Sequence, residues 1–167
     1  MVRQFLVPVL LSFAGLASAQ EVIPNPLIDY VAFQSGVERV GTLREDLRLT
    51  ESEFLAMTRD PATVILDARS AEKFALLHVK GAKNLSLPDM TEEELAKILP
   101  SKATRILIYC NNNFANEPAA FPAKILSASL NVYTLNVLFA YGYTNVYELG
   151  PLVDIRKTVI PFERKTI

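Results

Sequence analysis

Arg105-Ile106-Leu107-Ile108-Tyr109-Cys110 is the stretch on which the reading of the fold turns. Residues 105–109 read as a compact strand whose positions after Arg105 are apolar without polar alternation, as in a strand buried on both faces of a parallel sheet. Thr63-Val64-Ile65-Leu66 is a second run of this kind, and Asn145-Val146-Tyr147-Glu148-Leu149 predicts a last strand. Helical segments lie between. Thr50 opens one, with Glu53 as its capping-box partner, and Asp60-Pro61 ends it. Residues 70–77 read as a short helix and 82–87 as a strand. Thr91 caps the next helix, with Glu94 at the third position and Leu95, Ile98 and Leu99 as its apolar stripe. Helical spacing resumes from about residue 119 to 141, and Gly142 falls where a positive φ is wanted. A short strand fits at 47–49. Residues 20–46 have a weak pattern, start extended at Pro24 and Pro26, and read as an arm lying on the domain. The alternation predicts an α/β fold, a mostly parallel sheet with helices on both faces.

Composition narrows the function classes. The 167 residues are 50% hydrophobic and 21% charged, which is globular composition without disorder. A net charge of −1 gives no polybasic surface, so no nucleic-acid partner is expected. With one cysteine and one histidine, Cys110 and His78, an intramolecular disulfide is impossible and a zinc site of the usual kind is not expected. No Gly-x-Ser-x-Gly elbow is present. Residues 1–19 resemble a signal peptide: Arg3, an apolar run over 5–16, then Ala17-Ser18-Ala19 before a cut. The chain is therefore expected to be exported, periplasmic or secreted, with no membrane partner after cleavage. Residues 20–46 form the arm and 47–167 the domain.

Cys110 ends a buried strand, and ligands in such sheets sit beyond strand carboxyl ends. The segment after it, Asn111-Asn112-Asn113-Phe114-Ala115-Asn116, is mostly polar, and asparagine tolerates left-handed backbone. Curled there, it would aim several N–H groups at one point, a nest for an anion or a thiolate. The plainer reading is a cysteine packed as a small apolar residue. Phe114 either rims such a pocket or anchors the loop in the core. Sulfenic acid or mixed-disulfide chemistry at Cys110 is a further possibility.

A longer motif bears on these alternatives. Asp67-Ala68-Arg69-Ser70-Ala71-Glu72-Lys73-Phe74 and, after three residues, His78-Val79-Lys80-Gly81-Ala82-Lys83-Asn84 resemble the first signature of the rhodanese-like family. Cys110 directly after its strand and Gly142-Tyr143-Thr144-Asn145-Val146 are similar to two further landmarks, so the resemblance covers roughly 47–151. It implies a five-stranded parallel sheet flanked by helices. It also implies a sulfurtransferase that needs no cofactor and no metal, with Cys110 carrying a persulfide between a small sulfur-donor anion, such as thiosulfate, and a thiol acceptor. Residues 111–116 would bind the donor. Asp67 and Arg69 become a structural charged pair at the pocket rim, and His78 a structural histidine. The sequence departs from the family at Leu77 and Pro151, and in the loop, where Asn113 and Ala115 replace glycine and arginine. Asn116 stands where phosphatases of this fold need arginine, which disfavours that chemistry. The interval from Cys110 to Gly142 is longer than the family's, placing an insertion within 111–141, a possible site for a protein partner. The alternative to catalysis is a degenerate module used for partner binding or redox sensing.

Overall fold

The computed structural model describes residues 23–165, so the expected signal peptide lies outside the described residues. The elements are α1 (Tyr30–Leu43), β1 (Arg48–Leu49), α2 (Glu51–Met57), β2 (Val64–Asp67), α3 (Ala71–Leu76), β3 (His78–Val79) and β4 (Lys83–Asn84). There follow α4 (Glu92–Ile98), β5 (Ile106–Tyr109), β6 (Phe114–Ala115), α5 (Leu130–Ala140), β7 (Val146–Leu149), β8 (Val153–Asp154) and β9 (Phe162–Glu163). Five strands form a parallel sheet in the order β1-β7-β5-β2-β4. Antiparallel β3–β9 and parallel β6–β8 pairs stand beside it.

The two apolar runs become neighbours: Val64 pairs with Ile106 and Asp67 with Tyr109. Alternation along β5 sends Ile106, Ile108 and then Cys110 to one face, against Val40 of α1, Leu95 of α4 and Leu135 and Leu138 of α5. Leu107 and Tyr109 point to the other face, against Phe54 of α2, Phe114, Phe121 and Ile160. Burial of each such side chain contributes about 1.5–3 kcal/mol, so covering both faces is the main stabilisation of the sheet.

Local signals set the helix ends. Thr50 and Glu53 form the capping box, and the Thr91 side chain accepts from the Glu94 N–H. At the end of α5, Gly142 takes φ +81°, Gly142 N–H donates to the Phe139 carbonyl and Tyr143 N–H to that of Leu138. This double closure needs the left-handed residue that glycine supplies without steric cost.

Two expectations are corrected. Within the expected arm, Tyr30–Leu43 is a helix, capped by Asp29 and packed on α5. Its apolar residues form no clean stripe because Val40 alone is buried, while Val31 and Phe33 face outward. The expected helix from 119 begins only at Leu130. Pro118 and Pro122 interrupt any earlier start, and 117–129 is irregular apart from one 3-10 turn at Leu126–Ala128.

Candidate active site

Cys110 follows β5 directly. It is 1% exposed, and its Sγ lies 3.4 Å from Ser129 Oγ. Asn111–Asn113 form one 3-10 turn in which the Asn113 N–H turns back to the Cys110 side chain, while Asn113 Oδ1 accepts from the Cys110 N–H at 2.8 Å.

The expected nest over 111–116 is not formed. Within that stretch Asn116 alone takes a positive φ, 70°. Phe114 and Ala115 leave the sulfur as strand β6, hydrogen-bonded to β8. Phe114 lies on the opposite face of the sheet from Cys110, with ring centroids 4.7 Å from Phe121, 5.1 Å from Phe162 and 5.6 Å from Tyr109. It is a loop anchor and not a pocket rim. The Asn116 side chain is bonded to Asp154, whose carboxyl that bond holds below its ordinary value. Of the six residues expected to cradle an anion, Asn113 turns its N–H to the sulfur, while Phe114 and Ala115 run away from it in β6. The physical reason is pairing: β8 supplies partners to backbone that would otherwise curl.

The asparagine side chains instead fasten residues 117–129 across the loop. Asn111 Nδ2 donates to the Pro122 carbonyl at 2.8 Å. Asn112 exchanges two bonds with the Lys124 backbone, at 2.8 and 3.0 Å. Asn113 Nδ2 donates to the Leu149 and Pro151 carbonyls. Arg69 adds to this strap: Nη1 donates to the Ala120 carbonyl at 2.8 Å and the guanidinium lies 4.1 Å from the centre of the Phe121 ring. Its other nitrogens hold the buried Asp67 carboxylate, down to 2.5 Å, and the Leu77 carbonyl. Tyr109 donates to Asp67 as well. Burial, then the Asp67 charge, raises the Tyr109 phenol well above its ordinary value, so it stays a donor. Asp67 and Arg69 thus form a buried ion pair. His78 is buried too, with Nδ1 2.7 Å from the Phe74 carbonyl oxygen and Nε2 3.3 Å from Glu163.

Asn111, the residue after Cys110, borders a cavity of about 450 Å³, together with Arg69, Lys73, Pro122, Lys124 and Leu130 among others. Lys124, like Lys102, stands in the sequence as a lysine that could bring a charge from outside the loop, whereas Lys73 was not placed here by sequence reasoning, since strand and helix order do not bring a residue of α3 to this strap. Lys102 lies elsewhere, against the Tyr141 carbonyl and 4.1 Å from the centre of the Tyr143 ring.

Sequence reading also passed over Glu148. It is a carboxylate in the middle of the buried strand β7, and that position is the only signal it leaves. It pairs with Arg44 at 2.8 Å and Arg48 at 3.6 Å. Asn131, at the start of α5, donates to Asn113 Oδ1 in the cysteine loop. Burial holds the Glu148 carboxyl above its ordinary value, with Arg44, Arg48 and Asn131 opposing. A raised folded-state value means the folded chain binds the proton more tightly than the unfolded chain, so stability falls as pH rises from the ordinary glutamate range to the raised one. Glu148→Gln should therefore lose less stability than wild type between about pH 4 and about pH 7, read by urea unfolding at both values. A steeper loss in the variant would contradict the assignment.

The parallel order, both covered faces and the cysteine at a strand end define a rhodanese-like fold. The sequence profile of the rhodanese-like domain matches residues 50–150, and the chain belongs to that family. Thiosulfate sulfurtransferase PspE of Escherichia coli (strain K12) is 31% identical over 90 residues, which cover 54% of this chain and 71% of PspE. The crystal structure of the Alr3790 protein from Anabaena sp. is similar at a TM-score of 0.51 and 20% identity, over 71% of this chain and 94% of that one. The BH2092 protein from Bacillus halodurans gives 0.51 at 18% identity, over 79% and 87%. At these identities the two structures speak for the fold alone. Among the described residues no helix is long and apolar enough to cross a membrane.

Proposed function

We propose that this chain is a sulfurtransferase in which Cys110 carries the transferred sulfur and the strap over 117–129 governs access to it. One observation carries the reading: the chain's sole cysteine follows the central strand of a rhodanese-like sheet, and the residue after it, Asn111, borders a cavity that two lysines also border. In the first step the Cys110 thiolate attacks the outer sulfur of thiosulfate. The S–S bond breaks, and sulfite departs with its electron pair. In the second, an acceptor thiolate attacks the outer sulfur of the Cys110 persulfide and releases the Cys110 thiolate. No external oxidant is needed. Thiosulfate should add about 32 Da to the intact wild type and nothing to Cys110→Ser, read by mass spectrometry. Export after cleavage behind Ala19 belongs to the same proposal, and an exported chain starting at Gln20 is its check.

Because Cys110 is covered, its reactivity should follow strap opening. Asn112→Ala removes two hydrogen bonds to Lys124. It should speed labelling of Cys110 by a thiol reagent about tenfold, the equilibrium equivalent of one to two net hydrogen bonds. An unchanged rate would show that opening occurs elsewhere.

The burial of the thiol favours a second reading, a catalytically degenerate domain whose strap meets a protein partner. Ile125 and Leu126, 75% and 88% exposed, form its crest. Absence of the mass gain, together with partner binding unchanged in Cys110→Ser, would establish that reading in place of the first.

A further inference from the structure

Helix α1 has less packing than its composition requires. It is 14 residues long, a length at which an isolated helix is marginal in water, so burial has to hold it. Gly36 and Gly41 lie within it, and glycine is the weakest helix former after proline. Val31, Val37, Val40 and Thr42 add β-branched side chains, which lose rotamer freedom in a helix. Against this, the domain buries Val40 alone. Cavities of about 510 and 560 Å³, both bordered by Arg39 of α1 and Phe139 of α5, lie along its seat. Much of what α1 holds outward is apolar. Tyr30, Phe33 and Val37, at 71%, 51% and 36% exposure, stand at i, i+3 and i+7 and so share one face. The Tyr30 and Phe33 ring centroids are 6.1 Å apart. Ile23, Leu27 and Ile28, in the chain leading into the helix, are exposed as well.

Area, symmetry and charge choose what covers this face. These six side chains offer on the order of 800 Å² of apolar surface, about what each partner contributes to an interface of standard size and more than a monomer ordinarily leaves open in one patch. The row on α1 is complementary to itself. Tyr30 and Val37 lie three and four residues to either side of Phe33. A second α1 laid antiparallel about a two-fold axis at Phe33 therefore sets Tyr30 against Val37 twice and Phe33 against its own copy, the isologous contact of a closed dimer. Charge speaks against a lipid surface. Residues 23–43 carry Asp29 and Glu38 against Arg39 and no lysine, whereas helices that lie on bilayers are rich in lysine and arginine on their polar face. We propose that Tyr30, Phe33 and Val37 form the interface of a homodimer of this chain, α1 against α1 in antiparallel. The second copy supplies the burial that the domain does not give this helix. Dimerisation here needs no chemistry at Cys110.

Sedimentation equilibrium of the exported chain, from about 1 to about 100 μM, reads the assembly directly. Wild type should sediment at twice the mass of the chain. Phe33→Glu and Tyr30→Glu should each raise the dissociation constant at least about thirtyfold, the mark of an interface hot spot. Both positions are at least half exposed, so the variants should keep the far-UV circular dichroism of the folded chain, and either one decides the matter. Val31→Glu is the control. It places the same charge on an exposed valine turned about 100–160° round the helix from those two residues, and it should leave the dissociation constant unchanged. The proposal is overturned by a wild type that is monomeric at about 100 μM, and co-sedimentation with phosphatidylcholine vesicles would then give the face to lipid. It is equally overturned by a Phe33→Glu dimer as tight as wild type, or by equal weakening in Val31→Glu, which would mean unspecific adhesion.

Discussion

Arg69→Leu should lower the unfolding free energy by about 3–5 kcal/mol, the range for breaking a buried ion pair at one partner. The reason is what remains. Asp67 is wholly buried, and without the guanidinium its charge would keep only the Tyr109 hydroxyl, the Arg69 N–H and whatever water could enter. The Ala120 and Leu77 carbonyls would lose their donors at the same time, and Phe121 its cation. Leucine recovers part of the packing, so the loss is chiefly electrostatic. The double variant Asp67→Asn/Arg69→Leu should be more stable than Arg69→Leu alone, because the stranded charge is gone. Denaturant unfolding of the three chains checks this. A single-variant loss below about 1 kcal/mol would mean that the pair behaves as an exposed one.

Asn113→Leu is expected to cost about 2–4 kcal/mol, from four neutral hydrogen bonds at roughly 1 kcal/mol each with partial relief by water. Its amide accepts from Cys110 N–H and Asn131, and donates to the carbonyls of Leu149 and Pro151. Leucine has similar bulk but leaves those partners unpaired in a buried place. The same change should accelerate labelling of Cys110 by a thiol reagent, since it loosens the turn that holds the sulfur. Loss of stability with an unaltered labelling rate would separate the turn from access to the thiol.

The sheet was legible because its signals are local. Runs such as 106–109 are apolar at every position, and only a strand covered on both faces accommodates that pattern. Thr50 with Glu53, Thr91 with Glu94 and Gly142 act through bonds within a few residues, so a linear reading finds them. Cys110 was legible by position. Its surroundings were not. Ser129 and Asn131 meet its loop through side chains and Lys124 through its backbone, all further along the sequence, and nothing in Asn111-Asn112-Asn113 names those partners. Polar residues expected to receive a ligand bind the chain's own carbonyls. α1 was missed because a helix with one buried residue leaves no stripe, and the expected helix from 119 was overextended because apolar residues continue through the strap at helical spacing.

The cover over Cys110 bears on how the thiol would fare among oxidants. When a reactive group is exposed only in a rare open form, every reagent is slowed by the same protection factor, whatever its intrinsic rate. A thiol shielded by its local field would instead show a different slowing for each reagent. Peroxide, a disulfide and an alkylating agent should therefore be retarded in equal proportion relative to a free cysteine. Such a sulfur outlasts a harsh surrounding by being seldom on view.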